Sequence, residues 1–514
     1  MQSPLRFLAQ KHGYDELPRF LQFLKYPRKR IVFVGTIMAL VWGAMLLCQG
    51  LHGICHSPDW CLMSEVGRRL AVGDRIFVDV TEQKGPLTYV AHALVWLLVR
   101  TQLNAYVFAN VFIWFMLASS SFVAARIVEE VQKPWLHLIV QALVAAVVFV
   151  PHVGCLEQWF VPFGMLGALW VLRLSRGKRV SDVCWVVLGL AAAVALWSKF
   201  TCCAQFVFLL CYAASRRRTQ GLGRAAFIAL ASCVVGSAAV LFWLWTQGSL
   251  SGMFAYYLGA AAGGYSDRMS MQAYLADGGT STTHITSFAV GLPVAVWSIF
   301  MCARSSRSRL AGLLVVAAGA FYMYCCFSTF IGYYRMQLST LAVLAACEMR
   351  NRPWRLPVLR QVDALVGHLR IFWVASIAVI IAATIYTCDG TPNSYSENLN
   401  MREALHKGVG DSKSVLVWQF DHVWAFGELG LDFPYVMPAR YNANQDLWDE
   451  TAGDALAAGN WEYVIVAVDN TVGVGSTVTL CDTNCEAITV CGGMAVCRPV
   501  TTGNPQYNEP YRLP

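Results

Sequence analysis

Apolar runs close to the length of a bilayer crossing recur along this chain, and no other feature constrains its fold as strongly. A transmembrane helix needs about 20 predominantly apolar residues. Such runs, some of them shorter, lie at 31–51, 104–126, 135–151, 158–175, 182–197, 201–214, 225–246, 286–303, 311–330, 335–348 and 370–387. Composition agrees: 57% of the 514 residues are hydrophobic and only 14% charged, at a mean hydropathy of +0.48. A soluble chain of this length would need far more charged surface. The expected fold class is therefore an α-helical polytopic membrane protein with about eleven spans.

The run 86–101 is ambiguous by length, and charge decides it. Arg28, Lys29 and Arg30 place the N-terminus inside. If 86–101 crossed, the basic loop 173–179 would face outside. If it lies in the interface, the clusters at 126–133, 173–179, 216–218, 304–309 and 350–360 all fall inside. Orientation follows Lys and Arg in short loops, so 86–101 is expected to be an in-plane helix. The formal charge of +8 divides unevenly: residues 388–514 hold 16 acidic against 6 basic side chains. A basic excess confined to short loops is a topology signal, not a nucleic-acid surface. No cleavable signal peptide is expected, and residues 5–26 read equally as a cytoplasmic in-plane helix or as a loosely ordered leader.

Three domains follow: a cytoplasmic segment 1–30, a transmembrane domain 31–387 whose first external loop is 52–103, and an extracytoplasmic domain 388–514. Strands expected at 415–418, 435–437 and 463–468, with a helix at 446–458, suggest a small α/β domain on a parallel or mixed sheet. It has no glycine-rich phosphate loop and no evident nucleophile–base pair, so support or recognition is its expected role. Cys55/Cys61, Cys481/Cys485 and Cys491/Cys497 are close external pairs that suit disulfides, with zinc binding by the last four as the alternative. The external domain has no Asn-x-Ser/Thr sequon, which favours a bacterial plasma membrane.

The first external loop carries the densest pattern. It reads Pro58-Asp59-Trp60, then Gly67-Arg68-Arg69-Leu70-Ala71-Val72-Gly73-Asp74, then Phe77-Val78-Asp79-Val80, then Lys84-Gly85-Pro86-Leu87-Thr88-Tyr89. A second acid, Glu157, precedes Gln158-Trp159-Phe160-Val161-Pro162-Phe163, and a basic–aromatic patch, Gly332-Tyr333-Tyr334-Arg335-Met336-Gln337, opens a late span. Here the chain resembles the GT-C glycosyltransferases, in their protein-mannosyltransferase-like and aminoarabinose-transferase-like branches (families 39 and 83). The likeness covers roughly residues 30–350, with Phe77 where those proteins often have Tyr. It implies a GT-C fold with in-plane helices in the first loop.

The resemblance also implies chemistry: transfer of a sugar from a polyprenyl-phosphate donor to an external glycan, cell-wall polymer or protein, with inversion. A carboxylate must take the acceptor's proton, and cations must hold the phosphate as charge grows on it. It assigns Asp59 as general base and Glu157 as its partner, orienting the acceptor or binding a divalent cation. Such an ion (Mg²⁺ or Mn²⁺) needs oxygen ligands, and Asp59 with Glu157 is a thin set. Lys84, Arg335 and Lys199 are the candidate phosphate ligands; Lys199 stands out as an external lysine against the inward bias. Asp79, Tyr265, Asp267 and Tyr334 are candidate sugar or acceptor contacts. Each has a structural alternative: an interfacial anchor for the lysines, a lipid-headgroup or Asp267 pair for Arg335, a helix cap for Asp59, a solvated loop acid for Glu157 and an aromatic belt for the tyrosines. The competing functions are a transporter or flippase of lipid-linked sugars, which calls for mid-span charges and internal repeats, and a non-catalytic scaffold with an external binding domain.

Overall fold

The computed structural model describes residues 58–100, 102–131, 156–216, 221–259, 282–327, 332–349, 391–412, 414–418, 424–431, 461–469, 471–480 and 483–500, together with residue 456 and scattered positions between 26 and 43. The expected spans 135–151 and 370–387, the strand at 435–437 and nearly all of the helix at 446–458 lie outside these residues, and 31–51 is described only in part.

Two helices form the first loop, α1 (Pro58–Ala71) and α2 (Pro86–Val99). Behind them stand α3 (Gln102–Val131), α4 (Leu156–Ser175), α5 (Asp182–Ser198), α6 (Phe200–Ser215), α7 (Leu222–Thr246), α8 (Thr282–Arg304), α9 (Arg309–Phe327) and α10 (Leu338–Met349). Local chemistry sets several boundaries. The Ser181 hydroxyl accepts from the Val183 N–H at 3.3 Å to start α5, and Gly221, at φ +97°, turns the chain into α7. Small residues let these helices approach: a Cβ on Gly189 of α5 would collide with the Ala229 carbonyl of α7.

The outer surface of α7 is apolar. Phe227 is 71% exposed, and Val234, Val235, Phe242 and Trp245 are exposed beside it. Such a face is stable only where the solvent is itself apolar. Among the described residues, α7 and α9 are long and apolar enough to cross a membrane, and α5 and α6 are apolar but shorter.

Helix α2 has a different pattern. Pro86 stands in its first turn, and Arg100 in the left-handed conformation closes it. Tyr89, His92, Ala93 and Trp96 are buried on one side, while Leu94, Leu97 and Leu98 are exposed on the other. The buried side packs on α1, where the Trp96 Nε1–H donates to the Ser64 carbonyl at 2.8 Å. A helix buried on one face and apolar on the other lies naturally along an interface.

The two ends of the helical body differ in charge. At one end Arg216 donates to the Ser305 carbonyl at 3.1 Å and pairs with Glu348 at 3.1 Å, while Arg224 pairs with Asp182. Among the described residues, the turns after α4 and α8 bring Arg176, Arg179 and Arg307 to that end. The opposite end holds the first loop and the turns before α4, α6 and α10.

Beyond the membrane body lies a five-stranded sheet, ordered β1-β2-β5-β4-β3, from β1 (Val415–Val417), β2 (Tyr463–Ala467), β3 (Thr477–Leu480), β4 (Thr483–Cys491) and β5 (Met494–Pro499). Only β1 and β2 are parallel, so the sheet is mixed. The helix α11 (Thr391–Val409) packs on β4 and β5. The antiparallel run β3-β4-β5 was not expected from the sequence, although Gly492 and Gly493 at positive φ mark its hairpin. Two of the anticipated disulfides are corrected here. Cys485 and Cys497 are unbridged, because register places Cys485 opposite Pro499, and Cys497 opposite Ala487 and Val464. Burial pushes the Cys497 thiol up to about 12, the opposite of what a zinc thiolate needs. Cys61 is disulfide-bonded, and Cys55 lies outside the described residues.

The sheet domain is seated on the first loop. A short helix, α12 (Trp424–Leu429), packs on α1, and Arg68 of α1 donates to the Leu431 carbonyl. Buried residues of both regions form one continuous apolar cluster, from Trp60, Leu62 and Val66 to Phe426, Val464 and Val496.

Candidate active site

The polar end is built from backbone segments that each deliver one or two ionisable side chains. Asp59 occupies the first turn of α1, where the exposed N–H groups of a helix favour negative charge. Lys84 stands two residues before Pro86, and its ammonium lies 3.5 Å from Asp59 Oδ1. Glu157 opens α4 in the same way, wholly buried, and pairs with Lys199 at 2.6 Å. Lys199 occupies the single extended residue between α5 and α6, so a two-helix turn presents it to Glu157. The Lys199 ammonium also lies 3.9 Å from the centre of the Tyr334 ring, within range of a cation–π contact.

The two carboxylate–lysine pairs are joined through the backbone. Gly85 N–H donates to the Ser198 carbonyl at 2.8 Å, and the Thr88 hydroxyl donates to the same oxygen at 3.2 Å. Gly85 is required by close approach, since a Cβ there would collide with the Trp197 carbonyl. The segment carrying Lys84 is thus strapped to the turn carrying Lys199.

Arg335 follows Tyr334 in the 3-10 helix Gly332–Gln337. Its guanidinium lies beside the rings of Phe288 and Phe327, at 5.2 and 5.3 Å from their centres. Arginine tolerates such aromatic faces because it is weakly hydrated and planar. Asp79 is paired within its own loop. It accepts from the Arg75 backbone N–H at 2.8 Å and pairs with the Arg75 guanidinium at 3.0 Å, which holds its carboxyl below the usual range. That pairing closes the tight loop in which Phe77 adopts φ +62°. Tyr334 is buried with its ring turned to Lys199, and Tyr265 and Asp267 lie outside the described residues.

Two residues of this end, Glu82 and His92, were not singled out from the sequence. Glu82, 1% exposed, accepts from the Lys84 backbone N–H at 3.0 Å and from the Tyr89 hydroxyl, and lies 3.7 Å from the Lys84 ammonium. His92 lies edge-on to Trp60 and tilted against Trp159, at 5.7 and 5.8 Å. Burial, then the charge of Lys84, pulls His92 down to about 3, so its imidazole is neutral. Together with Phe108 and Phe112 these rings line an apolar cavity of about 100 Å³. Its walls begin one residue after Asp59 and two after Glu157.

Among the described residues no group of three or more His, Cys, Asp or Glu is arranged to hold a metal ion. Asp59 and Glu157 each face a lysine, which opposes a cation at either carboxylate, so the described donors do not fit a divalent ion.

Comparison of the whole architecture with solved structures decides the fold. ArnT from Cupriavidus metallidurans bound to undecaprenyl phosphate superposes at a TM-score of 0.51 with 13% identity, over 92% of this chain and 99% of that one. The apo structure of the same protein gives a TM-score of 0.52 at 11% identity, over 91% and 97%. The chain has the GT-C membrane fold of ArnT. No protein-family model matches the sequence, and no curated protein matches it. The match spans nearly all of both chains.

Proposed function

We propose that this protein is a glycosyltransferase that moves a sugar from a polyprenyl-phosphate donor to an acceptor on the extracytoplasmic face of a bacterial plasma membrane. The observation that carries the reading is the meeting of Asp59 and Lys84 at 3.5 Å on a GT-C fold. One is a carboxylate able to take a proton, the other an ammonium able to hold a phosphate. ArnT's bound undecaprenyl phosphate supports a lipid phosphate as the group recognised.

In this reading the donor phosphate is held by Lys84 and Arg335. Asp59 accepts the proton of an acceptor hydroxyl or amine as that atom attacks the anomeric carbon. The bond from that carbon to the phosphate oxygen breaks on the opposite face, which inverts the configuration. The electron pair leaves with the phosphate, where the cations stabilise the added charge. Glu157 holds Lys199 beneath the site and sets the potential there. The N-terminus is cytoplasmic and the sheet domain external, as the basic clusters at the opposite end require.

The test is Asp59→Asn and Glu157→Gln in purified protein, assayed for transfer from a polyprenyl-phosphate sugar. Asp59→Asn should lose at least about a hundredfold in kcat, the lower range for a general base. Full transfer by both variants, each purified as folded protein, would discard the site.

A further inference from the structure

We infer that Glu82 is a positioning residue for Lys84, holding the ammonium away from Asp59 so that it is available to a phosphate. The inference rests on the proposed donor site and adds a residue to it. Lysine carries its charge on a long flexible stem, and a lysine beside one free carboxylate closes on it as a simple pair. Here the chain prevents that. The Glu82 carboxylate is buried and fixed from two sides, by the Lys84 backbone N–H at 3.0 Å and by the Tyr89 hydroxyl. Tyr89 is itself fully buried and also accepts from the Lys84 backbone N–H, at 3.1 Å. On the other side, Gly85 is strapped to Ser198. The Lys84 backbone is therefore clamped front and back.

Against that fixed backbone the ammonium is shared. It donates to Asp59 at 3.5 Å and forms an ion pair with Glu82 at 3.7 Å, both longer than the 2.7–2.9 Å of a charge-assisted hydrogen bond. The two carboxylates differ in freedom: the Glu82 side chain is 1% exposed and the Asp59 side chain 24%. Glu82 is the anchor and Asp59 the partner that can be exchanged. An arriving phosphate takes the place of Asp59 at the ammonium while Glu82 keeps the lysine in place, and the displaced Asp59 is left ready to accept a proton. Without Glu82, Asp59 becomes the carboxylate on which Lys84 closes, and the phosphate must compete with it.

The effect of removing Glu82 has the opposite sign to the one simple electrostatics gives. If Glu82 were only a negative charge near the phosphate, removing it would tighten binding. If it positions Lys84, removing it weakens binding. The probe is undecaprenyl phosphate, titrated into the detergent-solubilised full chain. Glu82→Gln should raise its Kd about tenfold and Tyr89→Phe about threefold, with kcat at saturating donor held within about twofold. Added to Lys84→Met, Glu82→Gln should have no further effect, because a residue acting through another is not additive with it. Tighter or unchanged binding by Glu82→Gln, or an equal loss on the Lys84→Met background, overturns the inference. Should Glu82→Gln fail to fold, Tyr89→Phe carries the same test. Lys84→Met binding as well as the parent would overturn the donor-site reading with it, whereas weak binding by Lys84→Met alone leaves that reading intact and removes Glu82 from it.

Discussion

The Glu157–Lys199 pair offers a measurement in which structural and catalytic roles separate. The carboxylate is wholly buried and the lysine 12% exposed, at 2.6 Å. Removing one member of such a pair leaves the other charge uncompensated in a low-dielectric site, at a cost of about 3–5 kcal/mol. Lys199→Met should show the larger loss of the two single variants, because Glu157 keeps both buried oxygens and no other hydrogen bond. Glu157→Gln should lose less, since the ammonium retains the Tyr334 ring at 3.9 Å, a contact of about 1–2 kcal/mol when desolvated. The double variant removes both charges together, so it should be no less stable than Lys199→Met and should show a coupling of at least about 2 kcal/mol. Thermal unfolding of the four proteins in one detergent reads the cycle. Additivity within about 0.5 kcal/mol would show that the pair does not act as a unit and would refute the reasoning.

Gly85→Ala should lose about 1–3 kcal/mol, the cost of overpacking, because the new methyl meets the Trp197 backbone; unfolding by heat checks it. Acidification should destabilise the first loop through His92. Its folded value of about 3 lies below the ordinary 6.5, so the unfolded state binds the extra proton. Stability is complete above about pH 6.5 and falls towards pH 3, by up to about 4 kcal/mol; His92→Leu should flatten that slope in unfolding curves taken between those limits. Asp79→Asn should cost under about 1 kcal/mol, since its pair with Arg75 is solvent-exposed, and should leave transfer within about twofold. A large loss of transfer would return Asp79 to the site.

What could be read in advance follows from how each signal is generated. Hydropathy is summed over many residues, so helices such as α2, α5 and α7 were legible. The pairing of Asp59 with Lys84 was legible only as two residue types near the outer face, since 25 residues separate them and a fold must close the gap. Glu82 carried no signal at all: in an irregular loop a buried carboxylate looks like a solvated one, and only Tyr89 and the Lys84 backbone distinguish it. The strands β3 to β5 went unread because β3 and β5 are only 4 and 6 residues long and β4 mixes Thr, Asn and Cys with its apolar residues. Their one clear mark was Gly492-Gly493, which favours a tight hairpin. The cysteine pairs misled because proximity in sequence says nothing of strand register.

The seating of the sheet domain on α1 has a consequence for biosynthesis. Arg68 is made early, and the carbonyl that receives it belongs to Leu431, 363 residues later. At roughly 5–20 residues per second, the helix bearing Asp59 waits about 20–70 seconds for its partner surface to be made. Until then its apolar side, Leu62 and Val66 included, has no cover from the domain that finally encloses it. The first loop is thus an early product completed by a late one, and a nascent chain halted before residue 424 carries every side chain of the proposed site while the helix bearing Asp59 is not yet enclosed.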